Sequence, residues 1–256
     1  MNALHRVLDP NTPAHIQRGP CALGVMTKAP RPGQVKTRLV PPFTPEEAAS
    51  LNVCFLRDMA NAIKTAIATG KAARGVGVYT PHGAEAAYEN ILPETFFLIP
   101  QRGGSFGERL YLASADLLKC GFNSVCLIDS DSPTVRPEIF VQAVEFLSSP
   151  GDCIVLGPSD DGGYYLIGLK EPHRQLFERI DWSTEHVFDQ TMERSKGIGL
   201  EVKLLPMCYD VDDPATLRRL CNELFSENSS DTVAAETRKF LGEIVTREGR
   251  DRIWPE

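Results

Sequence analysis

Val125-Cys126-Leu127-Ile128-Asp129-Ser130-Asp131-Ser132-Pro133 is an uninterrupted apolar run followed by two carboxylates one residue apart. The run is continuous rather than alternating, which is typical of a parallel strand covered on both faces. Open α/β sheets bind their ligands at the carboxyl ends of strands, so Asp129 and Asp131 are expected at a ligand-binding edge. Two close carboxylates repel each other unless a cation or a shared proton lies between them. Their oxygens are hard ligands of the kind that Mg²⁺ or Mn²⁺ prefers, and the pair therefore predicts a metal site.

Strand and helix patterns alternate on both sides of this stretch. Predicted strands cover 22–27, 75–80, 95–100, 125–128, 152–157, 164–169 and 200–206, and predicted helices cover 45–69, 110–118, 137–147, 183–193, 214–220 and 231–245, with a weak helix over 84–90. The helix over 45–69 has the clearest start, because Thr44 suits the N-cap, Pro45 the first position and Glu47 a capping box. This alternation predicts an α/β fold, a mostly parallel mixed sheet flanked by helices on both faces.

The composition is that of an ordinary globular protein. The 256 residues are 42% hydrophobic and 24% charged, with a formal net charge of −7, which argues against binding to nucleic acid or to a membrane surface. The seven cysteines are single, odd in number and never spaced C-x-x-C, a pattern that indicates reduced thiols in a cytoplasmic protein. We expect a flexible tail over residues 1–20 and a single domain over residues 21–256. The sequence leaves the oligomeric state open.

A cationic loop follows the first predicted strand. Residues 28–38 read K-A-P-R-P-G-Q-V-K-T-R, with four cations and no acid. Two prolines and Gly33 shape the loop, so the cations are held by a stiff backbone. The unbalanced positive field is expected to attract phosphate, although a solvated surface loop would have the same composition. The candidate phosphate contacts are Lys28, Arg31, Lys36 and Arg38.

Two further stretches combine glycines with polar side chains. Residues 101–109 read Q-R-G-G-S-F-G-E-R before a helix, and such a turn exposes backbone N–H groups to an anion or a base edge, which makes Gly103 and Arg109 candidates. Neither a Walker loop nor a dinucleotide fingerprint is present. Residues 158–163 read P-S-D-D-G-G, in which Asp161-Gly162 can form a tight hairpin turn. Alternatively, Asp160 or Asp161 projects into the cleft as an acceptor-binding group or a base.

Six motifs in order resemble one bacterial family. They are K-A-P-R-P-G-Q-V-K-T-R-L (28–39), G-G-S-F-G-E-R-L (103–110), L-I-D-S-D-S-P (127–133), G-P-S-D-D-G-G-Y-Y-L-I-G-L (157–169), D-W-S-T-E-H-V-F (181–188) and D-V-D-D-P-A-T-L (210–217). Members of that family are described as glycosyltransferase-like, or as transferases associated with radical-SAM and selenoprotein-related domains. The family belongs to the nucleotide-diphospho-sugar transferase superfamily, whose GT-A-type fold also hosts molybdenum-cofactor guanylyltransferases and sugar-phosphate nucleotidyltransferases.

The resemblance implies a nucleotide or nucleotide-sugar bound over the carboxyl edge of the sheet, and a small-molecule acceptor beside it. It implies phosphate contacts from Lys28, Lys36 and Arg38, with Gly33 letting the backbone approach. Arg31, Gly103 and Arg109 are further nucleotide-binding candidates from their places in the two loops, although Arg31 and Arg109 could simply be exposed. It implies Mg²⁺ or Mn²⁺ ligands at Asp129, Asp131 and Asp212. Beside the resemblance, we expect catalytic roles for Asp160, Asp161 and Lys36, and acceptor contacts from Gly162, Gly163 and Trp182, although Trp182 could also be a core or edge aromatic.

One departure from the superfamily affects the expected reaction. The glycine-rich L-A-G-G-x-G-x-R start of a nucleotidyltransferase loop is replaced here by M-T-K-A-P-R-P-G at residues 26–33. We therefore expect metal-dependent glycosyl transfer, with nucleotidyl transfer of the guanylyl or uridylyl type as the alternative. A haloacid-dehalogenase-type phosphatase also places D-x-D after a buried strand, but it would leave the cationic loop unexplained. A nucleotide-binding module without catalysis stays open as well.

Overall fold

The computed structural model describes residues 5–12, 19–226 and 229–254. Seven strands form one sheet: β1 Cys21–Lys28, β2 Ala73–Thr80, β3 Phe97–Pro100, β4 Ser124–Ile128, β5 Cys153–Pro158, β6 Tyr164–Leu169 and β7 Glu201–Leu204. Their order across the sheet is β3-β2-β1-β4-β6-β5-β7. β6 runs antiparallel to both of its neighbours, whereas all other neighbouring strands are parallel. The mostly parallel mixed sheet predicted from the sequence is confirmed.

Six α-helices accompany the sheet in the described residues: α1 Pro45–Ala68, α2 Phe106–Lys119, α3 Pro137–Ser148, α4 Val187–Gly197, α5 Pro214–Leu224 and α6 Ala235–Glu248. The predicted capping box of α1 is present, since Thr44 Oγ1 accepts from the Glu47 N–H at 3.2 Å and Glu47 Oε2 accepts from the Thr44 N–H at 3.0 Å. The weak helix predicted over 84–90 is only a 3-10 turn, Glu85–Tyr88. α4 begins at Val187 rather than at residue 183, because residues 183–186 pack against the turn at Gly162.

The apolar run of β4 lies at the centre of the protein. Val125, Cys126 and Ile128 are fully buried, and Leu127 is 2% exposed. Val125 and Leu127 belong to the core on one face of the sheet, and Cys126 and Ile128 belong to the core on the other. This alternation explains the uninterrupted apolar sequence, because both faces of β4 are covered. The run therefore delivers Asp129 from a rigid, buried strand.

A third apolar cluster positions the last acidic motif. α5 and α6 pack with the first turns of α1, and Tyr209 and Val211 are buried among them. Asp58 on α1 caps α6 from a distance, since its carboxylate accepts from the backbone N–H groups of Glu236 and Thr237, both at 2.9 Å. The segment that carries Asp210 and Asp212 is thus anchored by a packed helical layer.

The prediction of a flexible tail over residues 1–20 is wrong for residues 5–12. Leu8 is 2% exposed, and its N–H donates to the Leu98 carbonyl at 2.7 Å. The Leu98 N–H in turn donates to the Arg6 carbonyl at 3.0 Å, so this segment pairs with the open edge of β3. An edge strand offers unpaired backbone groups, which accounts for the pairing. Residues 1–4 and 13–18 of the predicted tail lie outside the described residues.

Two further observations concern the cysteines and the helices. All seven cysteines are free, and six of them are buried, as predicted from their scattered positions. In the part of the chain that the structure describes, none of the helices is both long and apolar enough to cross a membrane.

Candidate functional site

A cavity of about 600 Å³ opens at the carboxyl end of β4. Its polar lining comes from five separate segments, namely the loop after β1, the end of β4, the β5–β6 hairpin, the stretch before α4 and the stretch before α5. The predicted site residues that line it are Arg38, Asp129, Asp131, Asp161, Gly163, Trp182 and Asp212. Asp210 and Glu185 also line it, so six acidic side chains face one basic side chain among the described lining residues. The cavity is therefore built to receive positive charge.

Asp129 is fixed at the exit of β4. Its N–H donates to the Tyr165 carbonyl at 2.9 Å, and its Oδ2 accepts from the Ser132 hydroxyl at 2.8 Å. Burial, followed by the nearby charge of Asp131, raises the pKa of Asp129 well above its usual value. A carboxylate in this environment is stabilised by an added cation, in keeping with the metal-ligand role predicted for it.

Lys36 occupies a position that the sequence did not anticipate. Its ammonium group lies 2.8 Å from Asp131 Oδ1 and 2.9 Å from Asp212 Oδ1, and it donates to the Val211 carbonyl at 2.7 Å. The Lys36 side chain is 3% exposed. Although burial lowers the pKa of Lys36, the two carboxylates raise it, and the net direction is upward. In this structure the Lys36 ammonium donates hydrogen bonds to the Val211 carbonyl and Asp212 and forms an ion pair with Asp131; its phosphate contact and catalytic role stay predictions.

Asp210 is a functional candidate that sequence reasoning missed. It lines the cavity, and burial together with the charges of Asp161, Asp212 and Asp131 raises its pKa to about 6. Among the described residues, no ion pair reaches its carboxylate. The sequence did hold a signal, because Asp210-Val211-Asp212 repeats the spacing of Asp129-Ser130-Asp131.

The two aspartates of the β5–β6 hairpin have different surroundings. Asp161 lines the cavity, and its Oδ1 accepts from the Gly163 N–H at 2.8 Å. Asp160 is not among the residues that line the cavity and is ion-paired with Arg219 on α5; its catalytic role stays a prediction. The hairpin turn predicted at Asp161-Gly162 is present, and only one of the two carboxylates reaches the cleft.

Gly162 lies where two stretches of backbone approach each other closely. Its φ is +88°, and a Cβ atom there would lie 2.2 Å from the carbonyl oxygen of Glu185. The Phe188 N–H donates to the Gly162 carbonyl at 2.8 Å. Residues 183–186 therefore pack across the hairpin instead of forming the first turn of α4. The acceptor contact of Gly162 stays a prediction.

Aromatic side chains form part of the cavity lining. The Trp182 ring lies 5.1 Å from Phe106 and 6.4 Å from Tyr164, in both cases edge to face. Phe106 is 44% exposed, which is unusual for a phenylalanine at the start of a helix. Trp182 thus stands at an apolar wall beside the carboxylates, where the sequence predicted an acceptor contact.

The remaining predicted phosphate contacts lie outside the cavity lining. Lys28, Arg31 and Gly33 are exposed. Gly103 is also exposed, with a φ of +105°, and the adjacent Gly104 N–H is already bound by Glu108 Oε2 at 2.8 Å. Arg109 is half-buried, and its guanidinium lies 5.8 Å from the centre of the Phe106 ring. For these five predicted residues a role in nucleotide binding stays a prediction.

The carboxylates of the cavity suit a hard cation by chemistry but stand apart from one another. Among the described residues, the group of three whose ligand atoms all lie within 4.8 Å of one another is Asp152, Glu171 and His173. That group flanks the start of β5 and the end of β6, which is the sheet edge opposite to the cavity. A cation in the cavity would therefore require the aspartates to turn, and it would take further ligands from phosphate or water.

Sequence comparison gives a family match without an activity. Residues 62–184 match the model of a family described as an uncharacterized protein conserved in bacteria, DUF2064. The matched part includes Asp129, Asp131 and Trp182 but not the cationic loop or the segment with Asp210. None of the curated proteins matches the sequence significantly.

Solved structures show which fold the chain shares. It is similar to a protein from Desulfovibrio desulfuricans G20 described provisionally as a nucleotide-diphospho-sugar transferase, with 29% identity and a TM-score of 0.77 over 90% of this chain and 98% of that one. It is also similar to CMP:2-keto-3-deoxy-manno-octonic acid synthetase in complex with CTP, with 12% identity and a TM-score of 0.50 over 79% of this chain and 97% of that one. A cytidylyltransferase from Leptospira borgpetersenii serovar Hardjo-bovis has 10% identity and a TM-score of 0.50 over 93% of this chain and 98% of that one. The fold is that of the nucleotide-diphospho-sugar transferases, as the six motifs implied.

Proposed function

We propose that the protein is a metal-dependent transferase that moves a glycosyl group from a nucleotide-sugar to a small acceptor. The observation that carries this proposal is the cavity itself, where carboxylates at the end of β4 face an aromatic wall across about 600 Å³. A cleft at the carboxyl edge of an α/β sheet is where such folds bind their ligands. The similarity to the Desulfovibrio protein, which extends over most of both chains, supports the same class of substrate.

Because the cavity is acidic, an anionic donor would need a divalent cation to bind there. Mg²⁺ or Mn²⁺ on the aspartates would supply the Lewis acid that stabilises charge on a departing diphosphate. Arg38, the basic side chain among the described lining residues, is exposed at the mouth and can neutralise a phosphate oxygen. Asp161 also lines the cavity and can accept a proton from an acceptor hydroxyl.

The aromatic wall gives the acceptor a separate place. Trp182, Phe106 and Tyr164 present ring edges and faces next to Asp161, and rings of this kind bind apolar or planar groups. Ser159 also lines the cavity, is 7% exposed, and has a hydroxyl without a hydrogen-bond partner among the described residues. A buried hydroxyl without a partner favours a ligand that supplies one.

The proposal is tested by thermal shift with a panel of nucleoside diphosphates, triphosphates and nucleotide-sugars, each with and without Mn²⁺. Ligand binding to the folded state must raise the melting temperature, and about 100 times the Kd of ligand adds about 2.7 kcal/mol. The Asp131→Ala variant should lose the Mn²⁺-dependent part of the shift. The His173→Ala variant is the matched control, because it removes the group of metal-type ligands at the opposite edge.

Product analysis separates the alternatives once a ligand is found. Release of a nucleoside diphosphate supports glycosyl transfer, whereas release of pyrophosphate from a triphosphate supports nucleotidyl transfer. A covalent phosphate on Asp129, trapped and detected by mass spectrometry, would instead establish the phosphatase alternative. If none of the panel raises the melting temperature, the transferase proposal is abandoned.

A further inference from the structure

Two carboxylates and one imidazole meet at the sheet edge opposite to the cavity. Asp152, Glu171 and His173 offer ligand atoms that all lie within 4.8 Å of one another. His173 Nε2 lies 2.7 Å from Asp152 Oδ2, and these two side chains are 21% and 31% exposed. The ligand atoms of a tetrahedral Zn²⁺ ion lie about 3.4 Å apart, because each is about 2.0–2.1 Å from the metal. Small side-chain rotations therefore bring the three groups around one ion.

The antiparallel pairing of β5 with β6 places these groups together. In that register Val155 faces Gly168, and continuing the register by three residues places Asp152 opposite Glu171. The His173 N–H donates to the Glu171 carbonyl at 3.0 Å, and this tight turn returns the imidazole to the two carboxylates. Like charges directly opposite each other on neighbouring strands destabilise a sheet. The end of this strand pair therefore favours an added cation.

No fixed positive charge balances the two carboxylates in the part of the chain that the structure describes. There, neither a lysine nor an arginine forms an ion pair with Asp152 or Glu171. Lys170, the cation next to Glu171 in the sequence, donates instead to the carbonyls of Ser149 and Gly151. The imidazole of His173 carries a charge only when it is protonated, and its neutral form is a metal ligand.

We propose that Asp152, Glu171 and His173 form a zinc site that is separate from the acidic cavity. An imidazole nitrogen together with carboxylate oxygens suits Zn²⁺, whereas Mg²⁺ prefers oxygen ligands alone. Three protein ligands leave the fourth position of a tetrahedral ion to water. The inference does not rest on the proposed transferase function, because none of the three residues is among those that line the cavity.

The bound ion fixes the chain that leaves β6. His173 directly precedes the 3-10 turn Arg174–Phe177, and its carbonyl accepts from the Leu176 N–H at 3.2 Å. Leu176 is fully buried and Phe177 is 5% exposed, and both belong to the core on one face of the sheet. A zinc ion on His173 and Asp152 thus ties this packed turn to the start of β5. Its role is structural, and zinc should raise the melting temperature because it binds the folded arrangement of the three ligands.

The first test measures Zn²⁺ affinity in the chelator-treated full chain by competition with a chromophoric chelator. Excess Mg²⁺ is present, since it competes for sites made of oxygen ligands but poorly for one with an imidazole nitrogen. We expect the wild type and Asp131→Ala each to bind one Zn²⁺ per chain. His173→Ala and Asp152→Asn should bind it at least about tenfold more weakly, because even the loss of an outer partner costs a metal site that much.

The control for this test is His186→Ala. His186 Nε2 lies 3.7 Å from Glu185 Oε1, so it forms a second exposed imidazole–carboxylate pair, but this pair belongs to no group of three ligand atoms among the described residues. Its loss should leave Zn²⁺ affinity unchanged. The melting temperature of each metal-free variant is measured first, so that a variant that fails to fold is recognised.

Glu171→Gln supplies a second test at an exposed position. Without metal, the variant should melt at or above the temperature of the wild type, because the substitution removes one of two opposed charges. With Zn²⁺, it should show a smaller rise in melting temperature than the wild type does. A side chain with only a structural role would not change these two measurements in different directions.

Three results would overturn the zinc site. It is refuted if the wild type binds no Zn²⁺ in the presence of Mg²⁺, or if His173→Ala and Glu171→Gln bind Zn²⁺ as tightly as the wild type. It is also refuted if Asp131→Ala abolishes the binding and His173→Ala retains it, since the ion would then lie in the cavity. Failure of the nucleotide panel to stabilise the protein refutes only the transferase proposal and leaves zinc binding as expected.

Discussion

The backbone N–H of Val211 donates a hydrogen bond to the carbonyl of Asp131 at 2.9 Å. This bond joins the late acidic segment to the end of the central strand, although the two are far apart in the sequence. Val211 is fully buried, so the side chains on either side of it, Asp210 and Asp212, turn toward the cavity. The second acidic motif is thus placed on the first by backbone pairing, and the charge of the site follows from that pairing.

Replacing Lys36 by methionine should destabilise the protein. The substitution leaves Asp131 and Asp212 facing each other without a cation. Removing one partner of a buried pair costs about 3–5 kcal/mol, but these carboxylates are 33% and 43% exposed and can hydrate, so we expect about 2 kcal/mol. Urea unfolding measures the loss. Lys203→Met, which removes a surface pair with Glu201, is the control and should cost less than about 1 kcal/mol.

A double-mutant cycle then identifies what Lys36 does. If its role is to neutralise Asp212, the loss of stability caused by Lys36→Met becomes smaller in an Asp212→Asn background, because one of the opposed charges is gone. A phosphate contact predicts something else: Lys36→Met would weaken nucleotide binding equally in both backgrounds. Equal effects on nucleotide binding, without coupling in stability, would restore the role expected from the sequence.

Local features of the fold could be predicted from the sequence, but the role of Lys36 could not. β4 and the capping box at Thr44 were predictable because a continuous apolar run and an N-cap pattern are local signals. The partner of Lys36 was not, since a cation in an acid-free loop carries no information about which distant carboxylate will pack against it. Phosphate was the reasonable expectation for such a loop. The fold instead brings Asp131 and Asp212 to Lys36 and leaves only Arg38 of that loop's cations among the described residues that line the cavity.

Helix boundaries were also predictable where the signal is local and not where tertiary structure sets them. α1 ends within one residue of its prediction, whereas α6 begins at Ala235 rather than at residue 231. The N–H groups at the start of α6 are satisfied by the carboxylate of Asp58 on α1, so the cap comes from tertiary structure and not from the preceding residues.

Asp210 could have been predicted as a site residue, because its repeat of the D-x-D spacing was visible in the sequence.

Stability should depend on pH through Asp210. Its pKa is raised to about 6 in the folded protein, above its ordinary value of 3.8, so the unfolded chain releases this proton first as the pH rises. The contribution of Asp210 to the free energy of unfolding is therefore greatest below about pH 4 and falls as the pH rises toward 6. Two pKa units correspond to about 2.7 kcal/mol, but solvent screens a half-exposed carboxylate, and we expect about 1 kcal/mol.

The Asp210→Asn variant checks this pH dependence. Measured by urea unfolding at pH 4.5 and pH 7 without metal, it should lose less stability than the wild type over that interval. Asp189→Asn, at an exposed position on α4, should follow the wild type. An Asp210→Asn variant with an unchanged pH dependence would show that the carboxylate is hydrated and not held among the other acids.

Gly162→Ala should destabilise the protein by more than the strain of a positive φ alone would cause. Gly162 and Gly70 both have a φ of +88°, but a Cβ at Gly70 meets nothing within 4 Å, whereas one at Gly162 lies 2.2 Å from the Glu185 carbonyl oxygen. Gly70→Ala should cost about 1 kcal/mol for the left-handed backbone. Gly162→Ala should cost roughly 2–3 kcal/mol, because residues 183–186 must also move. If the two variants lose the same stability in thermal unfolding, residues 183–186 can move aside at no measurable cost in free energy.

Trp182 can report directly on what binds beside the carboxylates. The chain has two tryptophans, and the other, Trp254, stacks on Phe225 in the helical layer with ring centres 5.5 Å apart. Trp254→Phe therefore leaves an indole only at the aromatic wall of the cavity. We expect its emission to change when an acceptor binds to the nucleotide complex, because a ligand against Phe106 and Trp182 displaces water from the ring.

The reciprocal variant distinguishes the acceptor from the nucleotide. Trp182→Phe, which keeps Trp254, should show no change of emission with either ligand, since that ring lies in another apolar cluster. In a transfer assay Trp182→Ala should raise the KM for the acceptor and leave nucleotide affinity within about threefold, because the ring is not expected to contact phosphate. If the nucleotide alone changes Trp182 emission and Trp182→Ala weakens its binding, the aromatic wall belongs to the base of the donor, and the acceptor must approach from the side of Asp161.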